Sequence, residues 1–272
     1  MISSCKPQVE ITDDVISEKQ PSFKIATPTA TYLYQKEAGG FSSIYDANGT
    51  DWIQFHKTDS AGYPHSSASD YRGLPNLVYG SDDSGSGHPG FKKMTSEQIS
   101  ENRIRSTSMS GKWQWSWTFH ENYAALNIEK IDPDQAYFFL YEGPIAGTFS
   151  PATHYWGTDI AGPMNKQPDF MEDSILYGKW QTVYFGNREY DKTFFLKQKE
   201  ADTLQDMYAY LGNSPNGNQS PDGMVVFGFG REKVTMPLLT SKNSFIIGFY
   251  NHEIEDAKGH KTILRYIDRL TR

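Results

Sequence analysis

The sequence predicts an all-β fold, a large antiparallel β-sandwich carrying one or two short helices. Three observations lead to it. Trp113 to Phe119 reads Trp-Gln-Trp-Ser-Trp-Thr-Phe, the two-residue period of a strand with four aromatics on one face. Short runs of this kind recur along the chain between Gly, Pro, Asn and Asp turn signals. The composition agrees: 272 residues include 6 Trp, 17 Tyr and 16 Phe, with 23 Gly and 14 Pro. That length suits one large all-β domain with a substantial core.

Residues 1–22 are polar and lack an apolar period, so they read as an N-terminal tether, with 23–272 as a single β-sandwich domain. Ala30 to Tyr34 is rich in β-branched and aromatic residues and reads as a strand. Ser42 to Tyr45 leads through Asp46-Ala47-Asn48-Gly49 into Asp51 to Phe55, the signature of a hairpin. Residues 57–90 are dense in Ser, Gly, Asp and Pro around an apolar island, Leu74 to Tyr79, and read as a long functional loop. Strand texture resumes at Ile104 and continues in Ala124 to Ile131 and Ala136 to Tyr141, with Asp132-Pro133-Asp134 as the turn between them. Further strands are expected at Lys179 to Phe185, Lys192 to Lys197, Met224 to Phe229 and Ser244 to Tyr250. Leu204, Met207, Tyr208 and Leu211 follow helical spacing, so Ala201 to Leu211 reads as a helix capped by Gly212. Thr262 to Leu270 reads as a second short helix or a final strand.

Charge and cysteine content exclude several classes. With 26 basic and 33 acidic residues the formal net charge is −7, which argues against a nucleic-acid partner. No apolar run approaches the roughly 18 residues a membrane-spanning helix needs. Cys5 stands alone, so there is no intramolecular disulfide and no cysteine-built zinc site. Met1-Ile2-Ser3-Ser4-Cys5-Lys6 reads as the tail of a bacterial lipoprotein signal, small residues before a cysteine that becomes lipidated. The expected location is therefore the periplasm or outer membrane of a Gram-negative bacterium, with membrane contact only through a lipid on Cys5.

Two segments resemble a known superfamily. Glu37 to Trp52, with its glycine-led strand, Asn48-Gly49 turn and second strand, resembles the opening hairpin of galactose-mutarotase-like β-supersandwich proteins. Tyr71-Arg72-Gly73-Leu74-Pro75-Asn76 resembles the Arg-Gly-Ile-Pro-type segment that follows in many members. The resemblance covers roughly residues 30–80 and implies a sheet facing carbohydrate, since the superfamily includes mutarotases, glycan-processing domains and polysaccharide lyases. The sequence departs from true mutarotases, because no pair of a His acid and a late Glu base stands out. Glu253 and Glu255 are the only late candidates.

The long loop and its flanks hold His56, Asp59, Tyr63, His65, Asp70, Tyr71, Arg72, Asn76 and His88. β-Elimination from a uronate needs a group that neutralises the carboxylate, a base for the C5 proton and an acid for the departing oxygen. Arg72, with Asn76, suits the first task, because guanidinium grips a carboxylate bidentately. His65 or His88 suits the second, and Tyr71 or Tyr63 the third. The plainer alternative makes all of these surface residues, with Arg72 paired to Asp70 or Asp83.

A second group is Glu142 with His154 and Trp156. A strand ending in Glu142 before Gly143-Pro144 exposes the carboxylate at a sheet rim, and Trp156 in a following loop offers a ring to a sugar. Alternatively Glu142 binds turn amides and Trp156 caps the core. The Trp113, Trp115, Trp117 and Phe119 stripe favours core packing over a sugar platform. Gln114, Ser116 and Thr118 point the other way. Phe227 to Arg231 lacks the third glycine and the helix of a dinucleotide site. Its glycines admit a neighbouring backbone, and Arg231 faces outward as a second carboxylate or sulfate ligand. No cofactor is called for. His154, His252 and His260 do not form a metal site by spacing alone, which leaves a divalent metal held by distant residues open.

The expected function is β-elimination on an acidic, uronate-containing poly- or oligosaccharide, catalysed by His65, Tyr71, Arg72 and His88, with Asn76, Glu142, His154, Trp156 and Arg231 binding substrate. Two alternatives stand beside it: a non-catalytic glycan-binding lipoprotein of an uptake system, and a glycoside hydrolase that uses Glu142 with Asp159, Asp169 or Glu172. Lys92, Lys93, Arg103 and Arg105 flank the loop as a local basic edge.

Overall fold

Strand structure begins at Glu10 in a computed structural model that describes residues 8–53, 74–75, 77, 83, 92–143, 152–168, 174–211, 224–233 and 236–271. Strands β1 (Glu10–Ser17), β2 (Gln20–Ala26), β3 (Ala30–Gln35) and β4 (Gly40–Asp46) form an antiparallel sheet in that order. Residues 10–22 are therefore strand and turn, and the tether expected up to residue 22 is corrected. β1 is an outer strand whose Ile11 and Val15 are only half-buried while Ile16 faces solvent, so it shows no apolar period. The Asn48-Gly49 turn forms as expected. Asp46 Oδ1 accepts from the amides of Asn48 and Thr50, and Gly49 takes φ +85°.

An eight-stranded sheet faces this one. Its members are β5 (Met94–Ser100), β6 (Arg103–Ser108), β7 (Gln114–Phe119), β8 (Tyr123–Lys130), β10 (His154–Thr158), β12 (Thr182–Asn187), β13 (Thr193–Gln198) and β18 (Ser244–Tyr250). Their order is β10-β12-β13-β18-β8-β7-β6-β5. A further four-stranded sheet runs β11 (Leu176–Gly178), β14 (Asp206–Leu211), β15 (Met224–Phe229), β9 (Phe139–Gly143). Strands β16 (Arg231–Glu232) and β17 (Met236–Pro237) form a small ribbon beside it. Residues 51–53, 74 and 77 make contacts with β4, β9 or the residue before β9. The Phe41 amide donates to Leu74 O, the Phe138 amide to Leu77 O, and the Tyr141 hydroxyl to Trp52 O.

The aromatic core lies between the eight-stranded sheet and the two smaller ones. Trp113, Trp115, Trp117 and Phe119 are all buried in it, as the alternation of β7 requires. Phe41 meets Trp117 edge-on at 4.8 Å, and Phe139 stacks on Phe245 at 4.3 Å. On the other face of β7, Ser116 donates to Glu129, whose carboxylate also holds Arg103 and Arg105. Two of the four basic residues expected to edge the loop are thus ion-paired.

The helix expected over Ala201–Leu211 is instead an extended segment ending in β14. Met207, Tyr208, Ala209 and Tyr210 are all buried, so both faces of this central strand are covered and no two-residue period appears. The four matching positions coincided with helical spacing by that route. Among the described residues the helix is α1, Ala257–Leu270. Asp256 caps it, accepting from the amides of Lys258 and Gly259. His260, Ile263 and Ile267 face the outer side of the eight-stranded sheet, against Tyr155, Tyr184, Phe195 and Ile246.

Candidate functional site

Strand alternation places a polar group on the outer face of the β9-containing sheet. In β9, β15 and β14, the residues Phe139, Tyr141, Val225, Phe227, Phe229, Tyr208 and Tyr210 enter the core. Leu140, Glu142, Val226, Met207 and Ala209 occupy the opposite face, and they too are buried. Arg231 joins them from β16. A Cβ on Gly228 would fall 2.8 Å from Arg231 Cδ and 2.4 Å from Leu140 Cδ2, so the missing side chain makes the bed in which the arginine lies. The glycine admits a side chain where the sequence suggested a neighbouring backbone.

Arg231 is 4% exposed, which corrects the expectation that it faces outward. Its guanidinium lies 5.6 Å from the centre of the Phe138 ring. Burial lowers its pKa to about 10, opposed by the charges of Glu142 and Tyr177, so it stays cationic at neutral pH. Glu142 is likewise buried, not exposed at a rim. Tyr177 on β11 is 42% exposed and forms the solvent side of the group. A buried guanidinium, a carboxylate and a phenol thus share one face of one sheet.

Asp206 holds the turn that delivers Arg231. Its Oδ1 accepts from the Gly230 amide and its Oδ2 from the Trp180 amide, while the Arg231 amide donates to Gln205 O. Burial raises the Asp206 pKa to about 7, against the lowering effect of those two amides. The native carboxyl therefore keeps its proton over a pH range in which the unfolded one has lost it. Its contribution to stability is full below about pH 4 and is lost as pH rises to about 7. Asp206→Asn is expected to be less stable than the parent at pH 4.5 and to close or reverse that gap at pH 8, by on the order of 2 kcal/mol. Urea midpoints at the two pH values measure it. A parallel shift at both pH values would assign Asp206 an ionised state throughout.

His154 and Trp156 belong to β10, not to a loop, and point into the core. Trp156 packs 4.3 Å from Tyr208 and donates through Nε1 to Lys166 O. His154 lies beside Phe185 and Tyr210, and burial lowers its pKa to about 3, so it is neutral. The core-facing side of the sheet stack therefore separates this pair from Glu142 and Arg231 on the outer face, and the structure does not bring them together. His65, Tyr71, Arg72, Asn76 and His88 lie outside the described residues, as do Asp169 and Glu172. Described residues near them in sequence approach β9: a Cβ on Gly143 would meet the backbone of Trp52 and Ile53, and Leu77 O receives the amide of Phe138, just before β9. Asp159 accepts from the amides of Gln181 and Thr182 and is a turn residue. Glu253 pairs with Arg188, and the His260 ring bonds the Tyr184 hydroxyl. Among the described residues no group of three or more His, Cys, Asp or Glu side chains is placed to hold a metal ion.

Sequence reasoning missed Tyr177, Phe138 and Asp206. Tyr177 and Phe138 carried no motif, and Asp206 was hidden in the supposed helix.

No family model matches the chain, and no curated protein matches it. Solved structures do. HI1317 matches with 11% identity and a TM-score of 0.57, over 92% of this chain and 98% of its own. A galactose mutarotase related enzyme from Lactobacillus acidophilus matches with 10% identity and a TM-score of 0.46, over 86% of this chain and 99% of its own. A mutant heparan sulfate lyase from Pedobacter heparinus matches with 11% identity and a TM-score of 0.38, over 86% of this chain and 34% of its own. The likeness to HI1317 over nearly the whole chain is one of fold, and the all-β sandwich that the sequence predicts is the observed architecture.

Proposed function

We propose that this chain is a carbohydrate-active envelope protein that acts on an acidic, uronate-containing poly- or oligosaccharide by β-elimination. The observation that carries the reading is the buried Arg231 guanidinium beside Glu142 and Tyr177 on one sheet face. A guanidinium kept charged in a low-dielectric setting suits a substrate carboxylate, and neutralising that carboxylate acidifies the neighbouring C5 proton. In the step itself a base removes the C5 proton, its electron pair forms the C4–C5 double bond, and the C4–O bond breaks as the leaving oxygen takes a proton. Tyr177 is exposed to solvent and its charge acts on the arginine, which suits it to the acid role. His65, His88, Tyr71 and Arg72, which the sequence offers for elimination chemistry, are further candidates for base, acid and neutraliser. Hydrolysis needs two facing carboxyls, and Glu142 is the only one on this face among the described residues. A lipid on Cys5 would tether the enzyme at the membrane surface.

The test is ultraviolet absorbance over time with a panel of uronate-containing polysaccharides and their oligosaccharides. A rising conjugated double-bond signal that disappears in Arg72→Ala and falls in Tyr177→Phe is the expected result. A flat trace across the panel, with retarded migration in gels containing the same polymers, would replace elimination by non-catalytic glycan binding.

A further inference from the structure

Helix α1 carries an arrangement of charge that helix stability does not account for. Lys258, Lys261, Arg265 and Arg269 are all exposed. At 100° per residue they fall within about 80° of one another, on the side opposite Ile263 and Ile267. Successive cations rise about 4.5–6 Å along the axis, so the four form a ladder about 16 Å long. Lys261 with Arg265, and Arg265 with Arg269, are like-charge i,i+4 pairs, which destabilise a helix. The first turn holds no acid and contains Lys258, a cation at the positive end of the helix dipole. Of the neighbouring acids, Asp256 caps the helix, Asp268 pairs with Lys197 and Glu253 pairs with Arg188, while Glu255 stands exposed just before the helix. Among the described ion pairs none includes Lys258, Lys261, Arg265 or Arg269. All this occurs in a chain of net charge −7.

We infer that the exposed face of α1 is a docking surface for a linear acidic polysaccharide, separate from the Arg231 site. Charge complementarity identifies the occupant: a row of cations at regular rise fits a polymer that carries an anion on successive rings. A membrane surface fits less well, because the apolar side of α1 is buried against Tyr155, Tyr184 and Ile246 and no apolar face remains to enter lipid. The helix covers the outer side of the eight-stranded sheet, whereas Arg231 lies beyond the other layer. The surface therefore holds long chains at the protein and does not orient the reacting ring. It extends the acidic-glycan reading given above, yet its test does not depend on turnover.

The experiment is affinity electrophoresis of the whole chain in gels containing polygalacturonate, with phosphatidylglycerol vesicles in a parallel sedimentation assay. The parent is expected to be retarded, and added salt should reduce the effect. Replacing Lys258, Lys261, Arg265 and Arg269 together by alanine should weaken retardation roughly tenfold, the sum of four exposed ion pairs. Retardation of the parent that persists even where the absorbance trace stays flat separates this surface from the proposed active site. The alanine variant should unfold at no lower a temperature than the parent, because it loses the like-charge pairs and gains helix propensity. Unretarded parent, equal retardation of the two proteins, or binding of the parent to vesicles but not to polygalacturonate would each overturn the inference.

Discussion

Arg231→Met is expected to abolish double-bond formation and to cost about 3 kcal/mol of folding stability. The two effects have different origins. Arg231 and Glu142 are both buried on one sheet face, and the Glu142 charge acts on the guanidinium. Removing the cation leaves the carboxylate in a low-dielectric site with one fewer positive charge acting on it, which is costlier than removing both. The double variant Arg231→Met with Glu142→Gln should therefore recover much of the stability while remaining inactive. Arg231→Lys separates the two effects differently. It restores a charge but not the planar fork that grips a carboxylate at two points, so stability should return further than turnover. For the single methionine variant, turnover is expected to fall by about 10²–10³-fold or more, as for loss of one preorganised charge-stabilising donor. Urea unfolding and the absorbance assay measure the two quantities separately. A methionine variant that turns over substrate normally would remove Arg231 from the reaction while leaving its structural part intact.

The fold was legible where one face of a strand is buried and the other is not. The β7 stripe, the Asn48-Gly49 turn and the strands near Ala30 and Ala124 follow from two-residue alternation or turn chemistry, whereas those near Lys192 and Ser244, buried on both faces, were legible as short apolar runs between turn signals. Legibility failed at two strands. β14 is covered on both faces and mimics helical spacing, while β1 is an outer strand so polar that it reads as linker. The site was partly legible for a related reason. Arg231 and Glu142 were identifiable as chemistry-bearing residues, but burial depends on which strands become neighbours, and β9 meets β15 across some 80 residues of sequence. The same long-range pairing sends His154 and Trp156 into the core, although they follow Glu142 closely in sequence. Residue type announces chemistry, whereas the side of the sheet on which it falls is a property of register.

The second large effect is expected at Gly157, where a single added methyl group should unfasten α1. Strands β10 and β12 pair Gly157 with Tyr184 and Tyr155 with Gly186, so each tyrosine ring lies over the glycine opposite it. A Cβ at Gly157 would fall 2.2 Å from Tyr184 Cζ, and one at Gly186 would fall 2.1 Å from Tyr155 Cζ. Each ring is also tied at its hydroxyl. Tyr184 bonds His260 Nδ1 through its hydroxyl at 2.9 Å, and the Tyr155 hydroxyl accepts the Ile254 amide at 3.0 Å, just before the helix. Gly157→Ala should therefore drive Tyr184 off its bed, break the bond to His260 and loosen the packing of Ile263 and Ile267. Overpacking and a lost buried hydrogen bond together come to about 3 kcal/mol. Gly111 provides the contrast. It takes φ +70° with nothing within 4 Å of an added Cβ, so alanine there should cost only the backbone strain, about 1 kcal/mol. Adding Tyr184→Val to Gly157→Ala should recover part of the loss, since the two changes share one space and cannot be additive. Amide hydrogen exchange would show α1 losing protection before the aromatic core does. If the costs of Gly157→Ala and Tyr184→Val simply summed, the ring would not be what the glycine accommodates, and the seat of α1 would have to be sought in Ile263 and Ile267 alone.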